Sequence, residues 1–340
     1  ITVIILCLYG LHFYIAVFLF KKGKKANLKW KKALDVKEED YPFVTVQLPI
    51  FNESNVAERL IENSIKMQYP KDKLEIQVLD DSTDETQTIA KTICDKYKKQ
   101  GYHIEYVHRV IREGYKAGAL KEGLETAKGE FIAIFDADFI PNSDFLMQTV
   151  PFFINHKNLA LVQTRWDYYN KNYSFLTQIQ ATALDGHFMV EQKARSDNSL
   201  WFNFNGTAGI WRKEAIYDAG NWNGDTLTED LDLSYRAQIK GWETLYYRDI
   251  GHQSELPINI PAYKSQQFRW AKGAFQCLKK LFLKIIFAKS RVSNKLEAMI
   301  HLINYSAFLF LVINFILMLP MAYLSQKYDY NPWEVVPWYV

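Results

Sequence analysis

Two long stretches without a charged residue lie near the two ends of this 340-residue chain. Residues 1–20 read ITVIILCLYGLHFYIAVFLF, and residues 299–324 read MIHLINYSAFLFLVINFILMLPMAYL. As helices, both are long enough to cross a hydrocarbon core of roughly 30 Å. The alternative for the first stretch is a signal peptide, which would need a basic start and a small-residue cleavage site that residues 1–20 lack. We therefore expect membrane-spanning helices at 1–20 and 298–325.

Basic residues follow the first stretch and precede the second. Residues 21–32 carry seven lysines, and residues 264–297 carry nine Lys or Arg against one acid, Glu297. The positive-inside rule therefore places the residues between the two spans in the cytoplasm. The net charge of +3 arises from these flanks, so it indicates contact with a lipid bilayer and not with nucleic acid. The three cysteines are too scattered for a zinc site or a disulfide framework.

Short β-rich apolar runs alternate with helical patterns over residues 42–166. This alternation is typical of a doubly wound, mostly parallel sheet, in which ligands bind beyond the carboxyl ends of the strands. Apolar residues at helical spacing separate the runs, and we expect Gly129 to end the helix before the fourth strand. The predicted strands are 43–50, 73–81, 102–109, 130–139 and 159–166.

Two of the predicted strands end in pairs of acidic residues. Asp80 and Asp81 close one strand, and Asp136 and Asp138 close another. The second pair flanks a small residue, so both carboxylates can reach one hard divalent ion such as Mg²⁺ or Mn²⁺, which commonly shares its ligands with substrate phosphates. One such pair is a weak signal, because acids at strand ends are often only solvated, but the first pair strengthens it. Capping of the next helix needs only one or two polar residues of its turn, which leaves Asp80 or Asp81 to accept from the N–H edge of a nucleotide base.

A third acidic group lies in TLTEDLDLSYRAQIKGW, residues 226–242, where the apolar spacing predicts a helix. Thr226 with Glu229 matches a capping box, which would be a sufficient structural explanation of the glutamate. Asp230 is not explained in this way. A carboxylate in the first turn of a helix is stabilised as the anion, so Asp230 is a candidate general base.

Gln266, Arg269 and Trp270 lie together in PAYKSQQFRWAKG, residues 261–273, just before a basic amphipathic segment. Arg269 offers a planar fork of donors to a departing phosphate, and Trp270 offers a flat face to a sugar ring. The alternative is an interfacial anchor, in which Arg and Trp lie at the depth of the lipid headgroups. That alternative explains the lysines but not the position of Gln266.

With these motifs in order, the chain resembles the membrane-embedded family-2 glycosyltransferases of the cellulose-synthase superfamily. Their pattern is Asp, Asp-x-Asp, Thr-Glu-Asp and Gln-x-x-Arg-Trp. It is matched here by Asp81, Asp136-Ala-Asp138, Thr228-Glu229-Asp230 and Gln266-Gln-Phe-Arg269-Trp270. Segments such as GYKAGALKEG and FNGTAGIWR look most like the cellulose-synthase-like A and C branches, which make β-1,4-mannan or glucomannan and the β-1,4-glucan backbone of xyloglucan.

The resemblance implies a GT-A-type α/β fold, a doubly wound mixed, mostly parallel sheet inserted between transmembrane helices. Together with the apolar stretches, it divides the chain into six parts, and we expect the chain to be part of a longer membrane protein. The parts are a transmembrane helix (1–20), a basic cytoplasmic linker (21–40), a cytoplasmic GT-A glycosyltransferase domain (41–262), amphipathic interfacial helices with the Gln-x-x-Arg-Trp motif (263–297), a transmembrane helix (298–325) and the start of a loop toward further spans (326–340).

By the same resemblance, each motif residue has an expected role. Asp230 is the general base, while Asp136 and Asp138 hold the ribose and a metal ion, Mg²⁺ or Mn²⁺. The residues expected to bind the donor are Pro49, Glu53, Asp80, Asp81, Lys116, Asp136, Asp138, Gln266 and Arg269. The residues expected to bind the acceptor are Asn205, Gly206, Glu229 and Trp270.

A single base without a covalent intermediate implies inversion at the sugar carbon. We therefore expect an inverting, processive hexosyltransferase that builds a β-linked polysaccharide, β-1,4 by resemblance, and passes it across the membrane. UDP-glucose and GDP-mannose both remain possible donors, and the growing polysaccharide is the acceptor. One alternative is an enzyme that adds a single sugar to a lipid, of the ceramide glucosyltransferase or dolichyl-phosphate mannose synthase type. The other is a non-catalytic export subunit that binds nucleotide sugar. Trp270 favours the polymer, and the intact acidic motifs favour an enzyme.

Overall fold

The computed structural model describes residues 2–23, 30–33 and 36–328, and within them seven strands form one sheet. Parts of three predicted segments lie outside the described residues, the first of them being residue 1 of the span 1–20. The other parts are 24–29 and 34–35 of the basic linker and 329–340 of the loop after the second span.

The sheet is mixed and mostly parallel. Its strands are β1 (Val44–Ile50), β2 (Leu74–Asp80), β3 (Ile104–His108), β4 (Phe131–Ile134), β5 (Leu159–Tyr168), β6 (Gly209–Arg212) and β7 (Glu243–Ser254). Their order across the sheet is β3-β2-β1-β4-β6-β5-β7. Neighbouring strands are parallel except where β6 pairs with β4 and β5. The predicted doubly wound sheet is confirmed, although β6 and β7 were not among the predicted strands.

Helices cover both faces of the sheet and continue beyond it. They are α1 (Thr2–Gly23), α2 (Ser54–Ile65), α3 (Thr86–Lys99), α4 (Tyr115–Thr126), α5 (Phe145–Asn155), α6 (Phe175–Asp185), α7 (Gln192–Asp197), α8 (Lys213–Asp218), α9 (Glu229–Ile239), α10 (Ile260–Phe287), α11 (Val292–Ile303) and α12 (Ser306–Lys327). Shorter turns are the 3₁₀ turns Glu38–Asp40 and Lys71–Lys73 and the π-helical turn Gly186–Glu191.

The alternation of side chains along the central strands divides the core into two layers. Phe131 and Ala133 of β4 pack with apolar residues of α2, α3 and α5. Ile132 and Ile134 point to the opposite face and pack with residues of α4, α8 and α9. A strand with both faces buried has a continuous run of apolar residues in its sequence. Strand β4 could be predicted for this reason.

Gly129 does not end α4, as the sequence had suggested. The helix ends at Thr126, and Ala127 is its cap residue. Gly129 is buried at the start of β4, where an added Cβ would lie 2.7 Å from the carbonyl oxygen of Phe131 and even closer to the backbone nitrogen of Thr45. Its N–H donates to Thr45 Oγ1 at 2.8 Å. A glycine is therefore required here because β1 comes close to the start of β4, and not because a helix ends at this residue.

Two helices, α1 and α12, are each 22 residues long and apolar enough to cross a membrane. They contact each other, since Tyr9 Oη lies 2.6 Å from Ser306 Oγ. Helix α12 begins at Ser306, whereas the span was predicted to begin at 298. The residues from 298 to Ile303 belong to the preceding helix, α11.

Candidate active site

A cavity of about 490 Å³ opens at the carboxyl edge of the sheet. Its walls come from the ends of β1, β2, β4, β5 and β7, the segment after β3, the loop before β6, the start of α4, the end of α6, the start of α9 and the first half of α10. All but one of the residues predicted to form the site line this cavity. They are Pro49, Glu53, Asp81, Lys116, Asp136, Asp138, Asn205, Gly206, Glu229, Asp230, Gln266, Arg269 and Trp270.

Asp80 is the exception, because it does not line the cavity. Its side chain is fully buried. It accepts hydrogen bonds from Tyr106 Oη at 2.6 Å and from the backbone N–H of Ser82 at 2.8 Å. Both carboxylate oxygens therefore stabilise the turn after β2 and its contact with β3. Of the two adjacent acids, only Asp81 is placed to meet a ligand.

Asp81 is held by two arginines that follow β3. Arg109 Nε lies 2.7 Å from Asp81 Oδ1, and Arg109 Nη2 lies 2.5 Å from Asp81 Oδ2. Arg112 Nε lies 3.6 Å from the same carboxylate, and its guanidinium lies over the ring of Phe51 at 3.4 Å. Arg109, Arg112 and Phe51 were not among the predicted site residues. The rule that ligands lie beyond strand ends, which identified Asp81, applies equally to Arg109.

Asp136 and Asp138 follow β4, and a lysine neutralises the first of them. Lys116 Nζ lies 2.5 Å from Asp136 Oδ1 and donates to the carbonyl oxygen of Gly206 at 2.9 Å. The N–H of Asp136 donates to Thr207 Oγ1 at 2.9 Å. Burial and the charge of Asp136 raise the pKa of Asp138 to about 7. Because burial and Asp136 disfavour the ionised form of Asp138, a nearby cation would stabilise that form.

The acidic pair fits a divalent ion that is shared with a diphosphate. Within the described part of the chain, no three His, Cys, Asp or Glu side chains converge to form a complete metal site. Mg²⁺ is usually bound by one or two carboxylates and completes its shell with waters and substrate phosphates, and Mn²⁺ also prefers oxygen ligands. Asp136 and Asp138 supply the two carboxylates that this type of site needs.

Glu229 and Asp230 begin α9 beside the cavity. The N-cap residue of α9 is Thr228, whose side chain makes no capping hydrogen bond, so the predicted capping box of Thr226 and Glu229 is wrong. Glu229 Oε1 instead lies 3.9 Å from Lys116 Nζ. Burial and the neighbouring Glu229 raise the pKa of Asp230 to about 7, against the opposing charge of Lys116. An acid with this pKa is suited to accept a proton near neutral pH.

Gly206 lies directly against Asp230. Its φ is +83°, and an added Cβ would lie 3.2 Å from Asp230 Oδ2 and 3.4 Å from Lys116 Nζ. The amide of the adjacent Asn205 is oriented by Gln192, whose Nε2 donates to Asn205 Oδ1 at 2.7 Å. The loop before β6 therefore leaves room beside the candidate base and presents an oriented amide next to it.

Helix α10 forms one rim of the cavity and is packed against the start of α9. Its lining residues are Gln266, Arg269 and Trp270. Two turns later, Gln276 Oε1 accepts from the N–H of Leu227 at 2.8 Å. Cys277 Sγ lies 3.5 Å from Thr228 Oγ1. The rim that carries the tryptophan and the segment that carries the candidate base therefore form one packed unit.

We expect Gly273→Ala to separate α10 from the start of α9. An added Cβ at Gly273 would lie 2.5 Å from Thr228 Oγ1 and 2.9 Å from Thr228 Cβ, so one of the two segments must move. Overpacking of this kind destabilises a protein by roughly 1–3 kcal/mol. Cys277 is buried in this contact. Its thiol is therefore expected to react with a maleimide about tenfold faster in the variant, since a loss of about 1.4 kcal/mol of local stability raises the open population tenfold. Mass spectrometry of the labelled peptide measures this rate.

The control for this substitution is Gly186→Ala. Gly186 has a helical φ of −55° and no atom within 4 Å of an added Cβ. It should leave both the labelling rate and the unfolding temperature unchanged. An unaltered labelling rate in Gly273→Ala would show that the contact with Thr228 does not hold α10 in place.

Three further residues of the cavity wall were not predicted. Trp166 and Tyr168 lie at the end of β5, and Glu255 directly follows β7. These residues also obey the strand-end rule. Trp166 was predicted only as a strand residue, and β7 was not predicted. The positions of Trp166, Tyr168 and Glu255 at the site were therefore not recognised.

The sequence matches the family model described as glycosyltransferase like family 2 over residues 42–273. Curated relatives include a probable glucomannan 4-beta-mannosyltransferase from Oryza sativa subsp. japonica, which is 45% identical over 77% of this chain and 46% of the relative. Glucomannan 4-beta-mannosyltransferases from Arabidopsis thaliana and Cyamopsis tetragonoloba are 43% and 41% identical over 79% and 81% of this chain, and over 50% and 53% of their own lengths. The chain thus spans about half the length of the curated relatives it matches.

Solved structures show the same fold. A mannosyltransferase from Pyrobaculum calidifontis, PcManGT, in complex with GDP-Man and Mn²⁺, has a TM-score of 0.70 at 22% identity and covers 100% of this chain and 96% of its own. Staphylococcus aureus TarS with UDP-GlcNAc has a TM-score of 0.56 at 16% identity over 78% of this chain and 72% of that chain. The predicted resemblance, including its mannan-synthase branch, is confirmed by the sequence matches. The chain belongs to glycosyltransferase family 2.

Proposed function

We propose that this chain is the catalytic part of a membrane-bound, inverting β-mannosyltransferase. It extends a β-1,4-linked mannan or glucomannan from GDP-mannose. The observation that carries the proposal is that the candidate base Asp230, the acidic pair Asp136 and Asp138, and Trp270 all line one cavity. The names of the three plant relatives and of PcManGT support mannose as the sugar and GDP as the nucleotide.

The donor nucleotide is proposed to lie along the ends of β1, β2 and β4. Asp81 accepts from the N–H edge of the base, and Arg109 orients its carboxylate through two hydrogen bonds. A divalent ion, Mg²⁺ or Mn²⁺, held by Asp136 and Asp138, supplies positive charge to the leaving diphosphate when it is bound. Lys116 and the exposed Arg269 add cationic charge on two other walls of the cavity.

The acceptor is proposed to enter between the loop before β6 and α10. Trp270 stacks on the terminal sugar ring, whose hydroxyl then approaches Asp230 across the space left by Gly206. Asp230 accepts the hydroxyl proton as the oxygen attacks the anomeric carbon and the bond to the diphosphate breaks. One displacement inverts the configuration, so an α-linked donor gives a β-linked product. Repeated addition uses the same stacking platform for each new terminal sugar.

The catalytic domain is proposed to face the cytoplasm. Lysines follow α1 and precede α12, as the positive-inside rule requires for a cytoplasmic segment between two spans. The long helix α10 carries exposed Phe268, Phe282 and Phe287 together with lysines, a composition typical of a helix at the membrane interface.

A panel of sugar donors tests this function. Full-length protein in lipid nanodiscs would be given GDP-mannose, GDP-glucose, UDP-glucose or UDP-N-acetylglucosamine with Mg²⁺ or Mn²⁺. We expect GDP release from GDP-mannose and a long product that a β-mannanase digests. Addition of one sugar to a lipid would instead identify a single-addition enzyme, and binding of GDP-mannose without any release would identify a non-catalytic subunit.

We expect the transfer rate to fall as the pH is lowered through about 7. Asp230 must be ionised to accept a proton, and burial together with Glu229 raises its pKa to about 7. The ionised fraction, and with it kcat/KM, should rise roughly tenfold per pH unit below this value and level off above it. The measurement is GDP release between about pH 5.5 and 9, with GDP affinity measured at each pH to separate catalysis from donor binding. A rate that stays constant down to about pH 5 would contradict the assignment of the base.

A further inference from the structure

A chain of buried and partly buried polar side chains begins on α1, the first apolar helix. His12 Nε2 on α1 lies 3.1 Å from Glu297 Oε2 on α11. Glu297 Oε1 accepts a hydrogen bond of 2.7 Å from Arg195 Nε on α7. Arg195 and Glu297 are only 4% and 8% exposed, so this ion pair is withdrawn from water.

The same chain continues to the wall of the active-site cavity. Arg195 Nη2 lies 3.3 Å from Glu191 Oε2, and that oxygen lies 3.4 Å from His187 Nδ1. The other ring nitrogen, His187 Nε2, lies 3.2 Å from Nδ2 of Asn205, which lines the cavity. His187 and Glu191 belong to the π-helical turn Gly186–Glu191, a rare geometry that is frequent at functional sites.

The chemistry of these contacts determines which atoms donate and which accept at the cavity end of the chain. His187 donates from Nδ1 to Glu191 and accepts at Nε2 from the Asn205 amide. Asn205 Oδ1 accepts from Gln192. The amide of Asn205 therefore has one orientation, and its second N–H is left for a sugar hydroxyl in the cavity.

The contacts in the chain favour the ionised form of both acids, of which Glu297 is buried and Glu191 is partly buried. Burial opposes ionisation, but the hydrogen bond from His187 and the charge of Arg195 lower the pKa of Glu191. Hydrogen bonding to His12 and the charge of Arg195 likewise lower the pKa of Glu297 to about 2. Apolar residues of the same volume would avoid the penalty of withdrawing these charges from water. A buried network of this kind is better explained by the geometry that it imposes than by the stability that it adds.

The membrane end of the chain is anchored by further contacts between α1 and the residues at the end of α7. Asn198 Nδ2 donates to the carbonyl oxygen of Leu19 at 3.1 Å. Gly23 lies so close to α7 that an added Cβ would be 2.6 Å from Asp197 Cβ. Helix α1 is thereby seated on the catalytic domain, and the polar chain has a defined position at both ends.

From this arrangement, and resting on the proposed function, we propose that Glu297 is a positioning residue for the acceptor. It acts through Arg195, Glu191 and His187 to hold the amide of Asn205 toward the terminal sugar of the polymer. The amide of Asn205 is thereby held at a fixed position relative to α1.

The substitution Glu297→Gln tests this role, because it keeps the size of the side chain and removes the charge that binds Arg195. Full-length protein in nanodiscs would be given GDP-mannose and β-1,4-mannooligosaccharide primers. We expect the KM for the primer to rise about fivefold or more, within the range of measured couplings in buried networks. The Kd for GDP should stay within about twofold, since Glu297 is not part of the cavity wall. Glu105→Gln, which removes an exposed partner of Lys98, is the matched control and should change neither value.

A double-mutant cycle shows whether Glu297 acts through Asn205. In an Asn205→Ala background, Glu297→Gln should have no further effect on the KM for the primer. An unchanged KM in the single variant, or the same rise in both backgrounds, would overturn the positioning role. His187→Gln breaks the chain nearer the cavity and replaces Glu297→Gln if that variant does not fold. Wild-type protein that fails to extend primers from GDP-mannose would overturn the proposed function itself, and the positioning role with it.

Discussion

Replacing Asp230 by Asn is expected to lower the rate of sugar transfer by at least about a hundredfold, the usual contribution of a general base. The Asn side chain keeps the shape of the carboxylate next to Gly206, but it cannot accept the proton of the acceptor hydroxyl. Binding of GDP should persist, because the residues proposed to hold the base and the diphosphate are unaltered. The measurements are GDP release at saturating GDP-mannose and GDP affinity by calorimetry.

The matched control is Asp225→Asn. Asp225 lies in the segment just before α9, is exposed and pairs with Lys280 at 2.7 Å outside the cavity. It should retain activity within about twofold, as surface substitutions usually do. If Asp230→Asn were as active as this control, another group would have to take the proton, and the proposed mechanism would be wrong.

Asp138→Asn is expected to remove the dependence of GDP binding on a divalent ion and to lower turnover by roughly a hundredfold. Charge stabilisation by a metal ion amounts to several kcal/mol, and each 1.36 kcal/mol corresponds to a tenfold change in rate. Only Asp136 would remain of the acidic pair, and that carboxylate is already paired with Lys116. The measurement is GDP affinity with Mn²⁺ and with EDTA, which should differ for the wild type and agree for the variant.

Asp95→Asn, an exposed position on α3, serves as the control for the charge change. The unfolding temperature of the Asp138 variant, measured without metal, should be no lower than that of the wild type, because the substitution keeps the packing and removes a carboxylate whose ionisation is disfavoured by burial. A variant at position 138 that still binds GDP more tightly with Mn²⁺ would exclude Asp138 as a ligand of the ion.

The acidic motifs could be predicted from the sequence because their positions depend on one rule. Parallel strands end at the same edge of a sheet, so acids that follow β2 and β4 must lie near each other. The rule could not distinguish Asp80 from Asp81, since adjacent residues at a strand end point to opposite faces. That choice depends on Tyr106 of the neighbouring strand, whose hydroxyl takes one oxygen of Asp80.

Local patterns failed where contacts between distant segments decide the structure. The pattern of Thr226 and Glu229 suggested an early helix start. Helix α9 instead begins at Glu229, and the preceding Leu227 and Thr228 are bound by residues of α10 that follow them by 49 positions. Likewise, the arginine pair on Asp81 and the polar chain from His12 to Asn205 join residues far apart in sequence. No local periodicity indicates such contacts.

The reversed direction of β6 has a consequence for how enzymes with this sheet can diversify. The residues just before an antiparallel strand arrive at the same edge as the residues just after its parallel neighbours. The loop with Asn205 and Gly206 therefore reaches the cavity from its own side of the sheet, independently of the connections that carry Asp81 and Asp136. Evolution or an engineer can alter this loop to change the preference for the proposed acceptor and leave the nucleotide preference intact.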